Sequence, residues 1–351
     1  MKKERSFFGW RLLAGLNSLF ALLLLISYLA FYIPPSPGWF FGLLGLAYPV
    51  LLIGNAAFVV VWVVFRKKYI LISLITILMG WNHIGRHVGL GIQERKKDDG
   101  IKVMSYNIQG NRYRPHSGEL LKELTVYLNE KKPKIICLQE FFLKDKQLKD
   151  FLANLQLQGH EPTISPPHTH GLLTYTSLPV MRSGGVKSGG DYFAIYHDML
   201  LKEDTVRVYN MQLASIHLQQ EKELFDQERS WESTKSRRRI LSMFRKFNLA
   251  YTQRTSEVEI LKKHIAGCDY PVILCGDFND TPLSYTYRKL SQNMQDPFRG
   301  RGSGFGNTHN ENLPPIRIDY ILHDETFDTE YYSIDKPNLS DHFPVIVVLS
   351  R

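Results

Sequence analysis

The stretch that decides the fold is Pro271-Val272-Ile273-Leu274-Cys275-Gly276-Asp277-Phe278-Asn279-Asp280. Its first half is an apolar run that ends at a glycine and an aspartate, which predicts a short buried strand. Two carboxylates and an amide then follow, at Asp277, Asn279 and Asp280. Because Asp and Asn are also ordinary turn residues, the stretch alone is equally compatible with a plain turn.

Polar residues of the same kind accompany four other apolar segments. They are Asn107 after residues 101–106, Gln139 and Glu140 after 135–138, Asp319 within 317–322, and Asp341 and His342 before 343–349. A plain turn does not explain so many repetitions. The pattern therefore predicts a site assembled from several strands.

The region after residue 100 contains many strand patterns and few helical ones. Helices are predicted at residues 118–130 and 231–265, and strands at 102–106, 134–138, 171–175, 192–198, 205–213, 272–275, 317–322 and 343–349. This order indicates an α/β (α+β) fold in which two packed sheets are flanked by helices. We expect the strand ends to share one edge.

The N-terminal region has a different composition, because residues 12–65 contain no Asp, Glu, Lys, Arg or His. A hydrocarbon core of roughly 30 Å needs about 20 helical residues, so residues 12–33 and 39–65 can each span a membrane. A third apolar run, residues 69–85, is near the lower limit of length. Buried core helices of a soluble protein are the alternative, but they rarely run so long without a charge.

Charge placement predicts the orientation of these spans. Basic residues lie among residues 2–11 and at 66–68, whereas the proline-rich connection at 34–38 has none. The positive-inside rule then places the N-terminus in the cytoplasm and, with three spans, the region after residue 85 outside. If the third run is re-entrant, that region faces the cytoplasm instead.

The net charge of +9 comes mostly from the N-terminal region, since residues 1–100 hold 11 Lys or Arg against 4 Asp or Glu. The remainder is close to neutral and lacks the global basic surface that duplex binding usually requires. A local basic stretch, from Lys235 to Arg254, lies in the predicted helix 231–265. We interpret it as a solvated helix face, with a phosphate or lipid-headgroup contact as the alternative.

Six motifs in the region after residue 100, hereafter the second region, resemble those of the endonuclease/exonuclease/phosphatase superfamily, the DNase I-like proteins. They occur in the same order. They are Val103-Met104-Ser105-Tyr106-Asn107, Cys137-Leu138-Gln139-Glu140, Val208-Tyr209-Asn210-Met211-Gln212-Leu213, Gly276-Asp277-Phe278-Asn279-Asp280, Arg317-Ile318-Asp319-Tyr320, and Ser340-Asp341-His342-Phe343-Pro344-Val345. With its apolar N-terminal region, the chain resembles a bacterial membrane-anchored branch. The resemblance implies a four-layer α/β sandwich that hydrolyses phosphoesters with a divalent metal.

The expected organisation follows from both regions together. Residues 1–88 are predicted to form a membrane anchor with about three transmembrane helices, residues 89–100 a charged linker, and residues 101–351 the catalytic domain. The expected location is the bacterial inner membrane, crossed more than once, with the catalytic domain extracytoplasmic. The expected partners are a phosphoester and the lipid bilayer, and no pattern indicates a protein partner.

Chemistry and resemblance together suggest a role for each site residue. Mg²⁺, or alternatively Mn²⁺, prefers hard oxygen ligands, which makes Glu140 the best ligand candidate, with Asn107 and Asp341 beside it. His342 needs an orienting acid, and Asp319 matches the family position for it. Asp277 is a candidate to activate the attacking water and Asn279 to contact phosphate. Whether Asp277 or His342 accepts the water's proton is left open, and the matching motif makes Asn210 and Gln212 candidate phosphate ligands.

One position departs from the family pattern. Gln212 stands where the family commonly has histidine, and an amide can donate to phosphate but cannot carry a proton. His217 lies five positions on, an odd offset that would face the other way in a regular strand. A catalytically impaired fold that only binds at the membrane is therefore the alternative to a hydrolase. The substrate class stays open between nucleic acid, phospholipid and a small phosphodiester or sugar phosphate.

Overall fold

Two β-sheets and a set of apolar helices make up the fold. The computed structural model describes residues 2–91, 100–108, 118–143, 145–155, 163–164, 171–215, 233–310 and 315–351. The helices are α1 (Lys2–Tyr28), α2 (Pro35–Val64), α3 (Ile70–Met79), α4 (Trp81–His87), α5 (Gly118–Lys131), α6 (Asp145–Asn154), α7 (Ser233–Ala266), α8 (Tyr285–Leu290) and α9 (Pro297–Arg301). The strands are β1 (Gly89–Leu90), β2 (Ile101–Asn107), β3 (Ile135–Gln139), β4 (Thr163–Ile164), β5 (Leu173–Thr176), β6 (Val180–Ser188), β7 (Asp191–Leu201), β8 (Asp204–Gln212), β9 (Val272–Asp277), β10 (Ser303–Gly304), β11 (Asp319–His323), β12 (Asp328–Ile334) and β13 (Val345–Ser350).

Both large sheets are mixed. One has the order β11-β9-β8-β7-β6 and the other β12-β13-β2-β3-β5-β4. Within them β8 pairs with β9, and β2 with β3, in parallel, whereas the remaining pairs are antiparallel. The small pair β1 and β10 joins the start of the predicted linker to the second region.

Alternation along the strands produces the layers. In β9, Ile273 and Cys275 face the core between the sheets, whereas Val272 and Leu274 face the outer core. Successive side chains of a strand point to opposite faces, so a strand buried on both sides is apolar throughout, as the sequence of β9 is. The outer core of this sheet includes residues of α7 and α8, and that of the other sheet includes residues of α5 and α6.

This arrangement confirms the predicted α/β architecture of two mixed sheets flanked by helices. Several elements of the second region were not predicted: the strands β4, β6, β10 and β12, and the helices α6, α8 and α9, together with β1 before it. β6 carries a Gly-Gly pair and Val186 is its one buried residue, so its sequence lacks the apolar alternation of a half-buried strand. The predicted solvated face of the long helix is wrong at Arg254, which is only 1% exposed.

Helices α1 and α2 are long and apolar enough to cross a membrane, over Gly9–Phe31 and Phe40–Val64. The third apolar run divides at Gly80 into the shorter helices α3 and α4. Tyr69 stacks near Trp62 at one end of this run, and His83 stacks on Tyr28 at the other. The α3–α4 pair therefore runs back along α2, from the C-terminal end of α2, which the basic residues 66–68 follow, towards the sheets.

A buried polar cluster joins these helices. Asn17 Oδ1 accepts a hydrogen bond from Trp62 Nε1 at 3.1 Å, and Ser73 Oγ lies 2.9 Å from the same oxygen. Ser73 Oγ also lies 2.8 Å from Asn55 Oδ1. Polar side chains between apolar helices associate them through such interhelical hydrogen bonds.

Helix α2 also packs directly on the sheet region. A Cβ at Gly45 would lie 2.8 Å from the Leu283 carbonyl oxygen and 2.9 Å from Ala30 Cβ. Leu283 belongs to the same buried cluster as Tyr28 and Tyr48. The apolar helices and the outer face of the sheet thus share one core.

Replacing Gly45 should separate these two parts. Gly45→Leu is expected to lower the free energy of unfolding by about 1–3 kcal/mol, because the new side chain overpacks the contact. Gly15→Leu is the matched control, since a Cβ at Gly15 meets nothing within 4 Å. The measurement is the melting temperature of the full chain in detergent, and equal melting temperatures for the two variants would contradict the shared core.

Candidate active site

Parallel pairing brings two pairs of polar residues to one edge of the sheets. β2 and β3 end together, with Asn107 opposite Gln139, so Glu140 follows directly at that edge. β8 and β9 also end together, with Gln212 opposite Asp277. Carboxyl ends of parallel strands meet at one edge, which is the usual place for a site in such sheets.

Antiparallel strands add two further residues from the opposite direction. β11 begins at Asp319, which lies opposite Asp277 on β9. β13 begins at Val345, opposite Ser105 on β2, so the preceding His342 lies beyond the end of β2. Residues distant in sequence therefore meet at the same edge.

Gly276 allows β8 and β9 to approach closely. It has φ of +146°, and a Cβ there would overlap the carbonyl oxygen of Met211 on β8. A residue with a side chain would be strained by both features. Position 276 therefore requires a glycine for both its backbone conformation and its close contact with β8.

Strand β9 stops at Asp277, and the chain turns so that Asn279 folds back on it. Asn279 has φ of +51°, a left-handed conformation that is uncommon outside glycine. Its backbone N donates to Asp277 Oδ1 at 2.7 Å, and its side-chain Nδ2 donates to Asp277 Oδ2 at 3.1 Å and to the Leu213 carbonyl at 2.9 Å. The two residues meet because of this turn, and a continuing strand is not required.

Glu140 lies at the centre of a carboxylate and amide cluster, also with a left-handed φ of +53°. Its Oε1 accepts from Gln212 Nε2 at 2.6 Å and from Asn107 Nδ2 at 3.4 Å. Asn107 Nδ2 also donates to Asp277 Oδ2 at 3.1 Å. Left-handed conformations of non-glycine residues often accompany functional sites.

His342 and Asp319 form a buried pair. His342 Nδ1 lies 3.0 Å from Asp319 Oδ2 and 3.2 Å from Oδ1. Burial is the largest single influence and would lower the pKa of His342, but the charge and hydrogen bond of Asp319, together with the charges of Asp277 and Asp341, outweigh it and raise the pKa to about 10. Burial, together with the charge of Asp319, raises the pKa of Asp277 to about 7. At neutral pH the imidazole is therefore protonated, whereas Asp277 can still accept a proton.

Asp341 lies beside a histidine that the sequence analysis did not single out. His309 Nε2 is 3.7 Å from Asp341 Oδ2, and the ring centroids of His309 and His342 are 4.8 Å apart. Burial raises the pKa of Asp341, and the charge of Glu140 adds to this rise. The nearby imidazoles act in the opposite direction and lower the pKa. His309 bridges to His342 by its backbone, although it stands in a loop 33 positions earlier. No local sequence signal connects the two.

Asn210 lies apart from this cluster, fully buried between the strands. Its Nδ2 donates to the carbonyls of Leu138 at 3.1 Å and Leu173 at 2.9 Å, and its Oδ1 accepts from Gln139 Nε2 at 2.7 Å. The predicted role of Asn210 in binding phosphate has no support in this geometry, because its amide already joins the two sheets. His217, the other residue considered near Gln212, lies outside the described residues.

The donors at the edge fit a hard divalent cation. Glu140, Asp277, Asp319 and Asp341 bring four carboxyl groups together with the protonated His342, an arrangement with a surplus of acid. Glu140, Asn107 and Asp341 offer oxygen ligands of the kind that Mg²⁺ and Mn²⁺ prefer. Ligand atoms also lie within 4.8 Å of one another in the groups His309–Asp341–His342 and Asp277–Asp319–His342.

A second buried ion pair joins helix α7 to the turn that follows β9. Arg254 Nη1 lies 3.1 Å from Asp280 Oδ2, and both side chains are almost fully buried. Arg254 also donates to the carbonyl of Ala214, whose N–H donates to Glu257 Oε2 at 2.8 Å. The sequence pattern gives Asp280 no partner, since Arg254 lies 26 positions earlier. The pair connects the end of the Gly276–Asp280 stretch with the chain that follows Gln212.

Comparison with protein families identifies two matched regions. The profile described as the Endonuclease/Exonuclease/phosphatase family matches residues 104–342. A profile described only as a domain of unknown function matches residues 10–87. A sequence search of curated proteins finds no match.

Solved structures share the fold of the second region. An endonuclease/exonuclease/phosphatase family protein from Bacteroides thetaiotaomicron has a TM-score of 0.53 and 16% identity, covering 72% of this chain and 98% of that one. A mannosyl-6-phosphatase from the same species has a TM-score of 0.52 and 16% identity, covering 72% and 100%. TDP2 from D. rerio, complexed with a single-strand DNA product, has a TM-score of 0.51 and 13% identity, covering 72% and 100%. At these identities the likeness is one of fold.

Breaking the supporting ion pair should be costly. Arg254→Met is expected to lower the free energy of unfolding by about 3–5 kcal/mol, because the Asp280 carboxylate is left buried without its partner. The double variant Arg254→Met/Asp280→Asn should recover part of that loss. The measurement is denaturant unfolding of the full chain in detergent.

The control is Lys289→Met, which breaks the 3.1 Å pair of Lys289 with Glu259. Both of these side chains are partly exposed, so the loss should stay below about 1 kcal/mol. Equal losses for Arg254→Met and Lys289→Met would show that burial of the Arg254 pair has no special role.

Proposed function

This chain belongs to the endonuclease/exonuclease/phosphatase family, and from that premise we propose that it is a membrane-anchored, divalent-metal-dependent phosphoester hydrolase. The observation that carries the proposal is the meeting of Asn107, Glu140, Asp277, Asp319 and His342 at one edge of the sheets. These five residues come from five separate segments of the chain. A purely structural role would not require so many ionisable groups at one edge.

In the proposed reaction a water attacks the phosphorus atom and the ester oxygen leaves. Asp277 accepts a proton from the attacking water, which its raised pKa of about 7 suits at neutral pH. Asp319 holds the His342 ring in one orientation and keeps it protonated, so the imidazolium offers an N–H and a positive charge to the phosphate. Gln212 would donate to a phosphate oxygen through the amide hydrogen that does not bind Glu140. Asn279 Nδ2 donates to Asp277 and to the Leu213 carbonyl, so its contact with phosphate would replace one of these bonds.

Glu140, Asn107 and Asp341 would hold the cation, which when bound supplies positive charge that stabilises the phosphate group. Gln212 contributes to this proposed metal site by donating to Glu140 Oε1 at 2.6 Å. That contact aligns the carboxylate that would be the main ligand. Mg²⁺ is the expected ion, with Mn²⁺ as the alternative.

Gln212 also motivates the second candidate, a fold that binds a phosphoester without cleaving it. Its amide occupies the position where the family commonly has histidine, and an amide cannot transfer a proton. Among the described residues, His309 brings a further imidazole beside the cluster, next to Asp341 and His342. The distinction between hydrolysis and binding rests on the activity measurement below.

The substrate class follows less directly from the site. The structural relatives include a mannosyl-6-phosphatase and a protein with a DNA product, so the shared fold accepts different phosphoesters. The apolar helices packed against the sheet region favour a substrate near the membrane. We propose a phosphoester presented at the bilayer surface.

We also propose that residues 1–88 form the anchor, 89–100 the linker and 101–351 the catalytic domain. Helices α1 and α2 are each long enough to cross a membrane, and α3 with α4 would make a third, shorter pass. Three passes would put residues 66–68 and the sheets on opposite sides. The basic residues 66–68 then mark the cytoplasmic side. The catalytic domain would lie outside the bacterial inner membrane.

Hydrolysis should depend on the clustered residues and the metal. The full chain in detergent, with Mg²⁺ or Mn²⁺, is tested against plasmid DNA, RNA, phospholipid, a sugar phosphate and an aryl phosphodiester. His342→Ala is expected to lower kcat by about 10²–10⁴-fold, because the phosphate loses a charged donor. Glu140→Gln and addition of EDTA are each expected to remove turnover.

Glu203→Gln is the matched control for Glu140→Gln, because Glu203 is exposed in the turn between β7 and β8. It should retain full activity. Binding of one of these esters without turnover by the unmodified chain would favour the second candidate, and turnover that survives both site variants would refute the assignment.

The orientation has its own test. In spheroplasts of cells that express the chain, added protease is expected to digest the region after residue 100, whereas in inverted membrane vesicles that region should be protected. A cytoplasmic marker protein reports that the spheroplasts are intact. Protection in spheroplasts and digestion in inverted vesicles would contradict the proposed orientation.

A further inference from the structure

A polar cleft lies where the apolar helices meet the sheet region, away from the strand ends that form the candidate active site. It has a volume of about 280 Å³ and is lined by Phe31, Arg86, Arg288, Ser291, Gln292 and Arg299, among others. Phe31 ends the turn after α1, Arg86 lies in α4, and Arg288 lies in α8. The cleft is therefore formed jointly by both parts of the chain.

The carboxylate in the lining of this cleft pairs with Arg317 and does not neutralise the arginines of the cleft. Asp296 is the carboxylate of the lining, and Arg317 Nη2 lies 2.8 Å from its Oδ2 while Arg317 Nη1 donates to its Oδ1 at 3.0 Å. This bidentate pair is almost completely buried. Among the ion pairs of the described residues, none includes Arg86, Arg288 or Arg299.

Aromatic rings hold two of these arginines in place. The Arg86 guanidinium lies 4.1 Å from the centroid of the Phe31 ring, and that of Arg288 lies 5.1 Å from the Tyr32 ring. Arg86 Nη1 is already bound to His83 Nδ1, at 2.8 Å, and the remaining N–H groups of a stacked guanidinium stay at its edge, where a ligand can reach them. Forked N–H donors of this kind match the oxygens of a phosphate.

The position of the cleft indicates the source of the phosphate. Most of the large exposed hydrophobic side chains in the described residues lie between Leu12 and Leu90, on the apolar helices. The cleft lies at the end of these helices that adjoins the sheets, at the opposite end from Lys67, which stacks on Trp10. This is the level at which lipid headgroups would surround the proposed anchor.

We propose that this cleft binds the phosphate-bearing headgroup of an anionic phospholipid, separately from the hydrolytic site. The inference rests on the proposed membrane placement but not on hydrolytic activity. Ser291 and Gln292 add neutral hydrogen-bonding groups beside the arginines. A bound headgroup would tie α4 and α8 together and hold the catalytic domain against the bilayer.

The test uses the full chain in a neutral detergent. Its melting temperature is followed during titration with a short-chain phosphatidylglycerol, and separately with inorganic phosphate at matched concentration. Arg288→Gln/Arg299→Gln is expected to weaken lipid binding by about fivefold for each arginine, or roughly 25-fold together. Arg299→Gln alone, which changes an exposed side chain, covers the case in which the double variant does not fold.

Two controls separate this site from other effects. Arg182→Gln/Lys202→Gln removes the same charge from exposed positions on β6 and the turn after β7, and should leave lipid binding within about twofold, because those positions are remote from the cleft. Glu140→Gln should abolish turnover and leave lipid binding unchanged. A chain that binds the lipid without any hydrolysis would therefore support this inference while refuting the proposed activity.

Four results would overturn the inference. Stabilisation by inorganic phosphate equal to that by phosphatidylglycerol would show that the cleft recognises the free anion. No stabilisation by the lipid, or the same stabilisation in the cleft variants, would show that the cleft is not its site. An equal loss in Arg182→Gln/Lys202→Gln would show diffuse attraction to charge.

Discussion

The pairing register of β2 with β3 and of β8 with β9 is the constraint on which the rest of the site depends. Both pairs are parallel, so the residues that follow them emerge at one edge, and the antiparallel β11 and β13 enter from that same edge. A one-residue shift in a strand would turn its polar end residue to the other face. Gly276 preserves the close approach of β8 and β9 where this precision matters most.

Several buried ionisable groups of the described residues lie in ion pairs. Asp319 holds His342, Asp280 holds Arg254, and Asp296 holds Arg317. Burying an unpaired charge would cost several kcal/mol, so each of these charged residues depends on its partner. The acid surplus near Glu140 is the exception, and it is what suits that edge to a cation.

The apolar helices are part of the folded core rather than a separate tether. Gly45 lets α2 approach Leu283, and Tyr28 and Tyr48 pack in the same cluster as residues of the outer sheet face. Under the proposed membrane anchoring, the contacts between these helices and the sheet region would limit how the active edge can rotate relative to the bilayer. A headgroup cleft at this junction would add to that restraint.

The sequence by itself determined the fold class, the two long apolar helices and the identity of most residues at the edge. These depend on local quantities: strand alternation, length of uncharged runs and polar residues placed directly after strands. Only the tertiary structure placed Asn210 between the sheets, brought His309 beside Asp341, paired Arg254 with Asp280 and assembled the arginine cleft. Those relations join residues from distant segments, and the direction of each side chain depends on neighbours that its own segment does not specify.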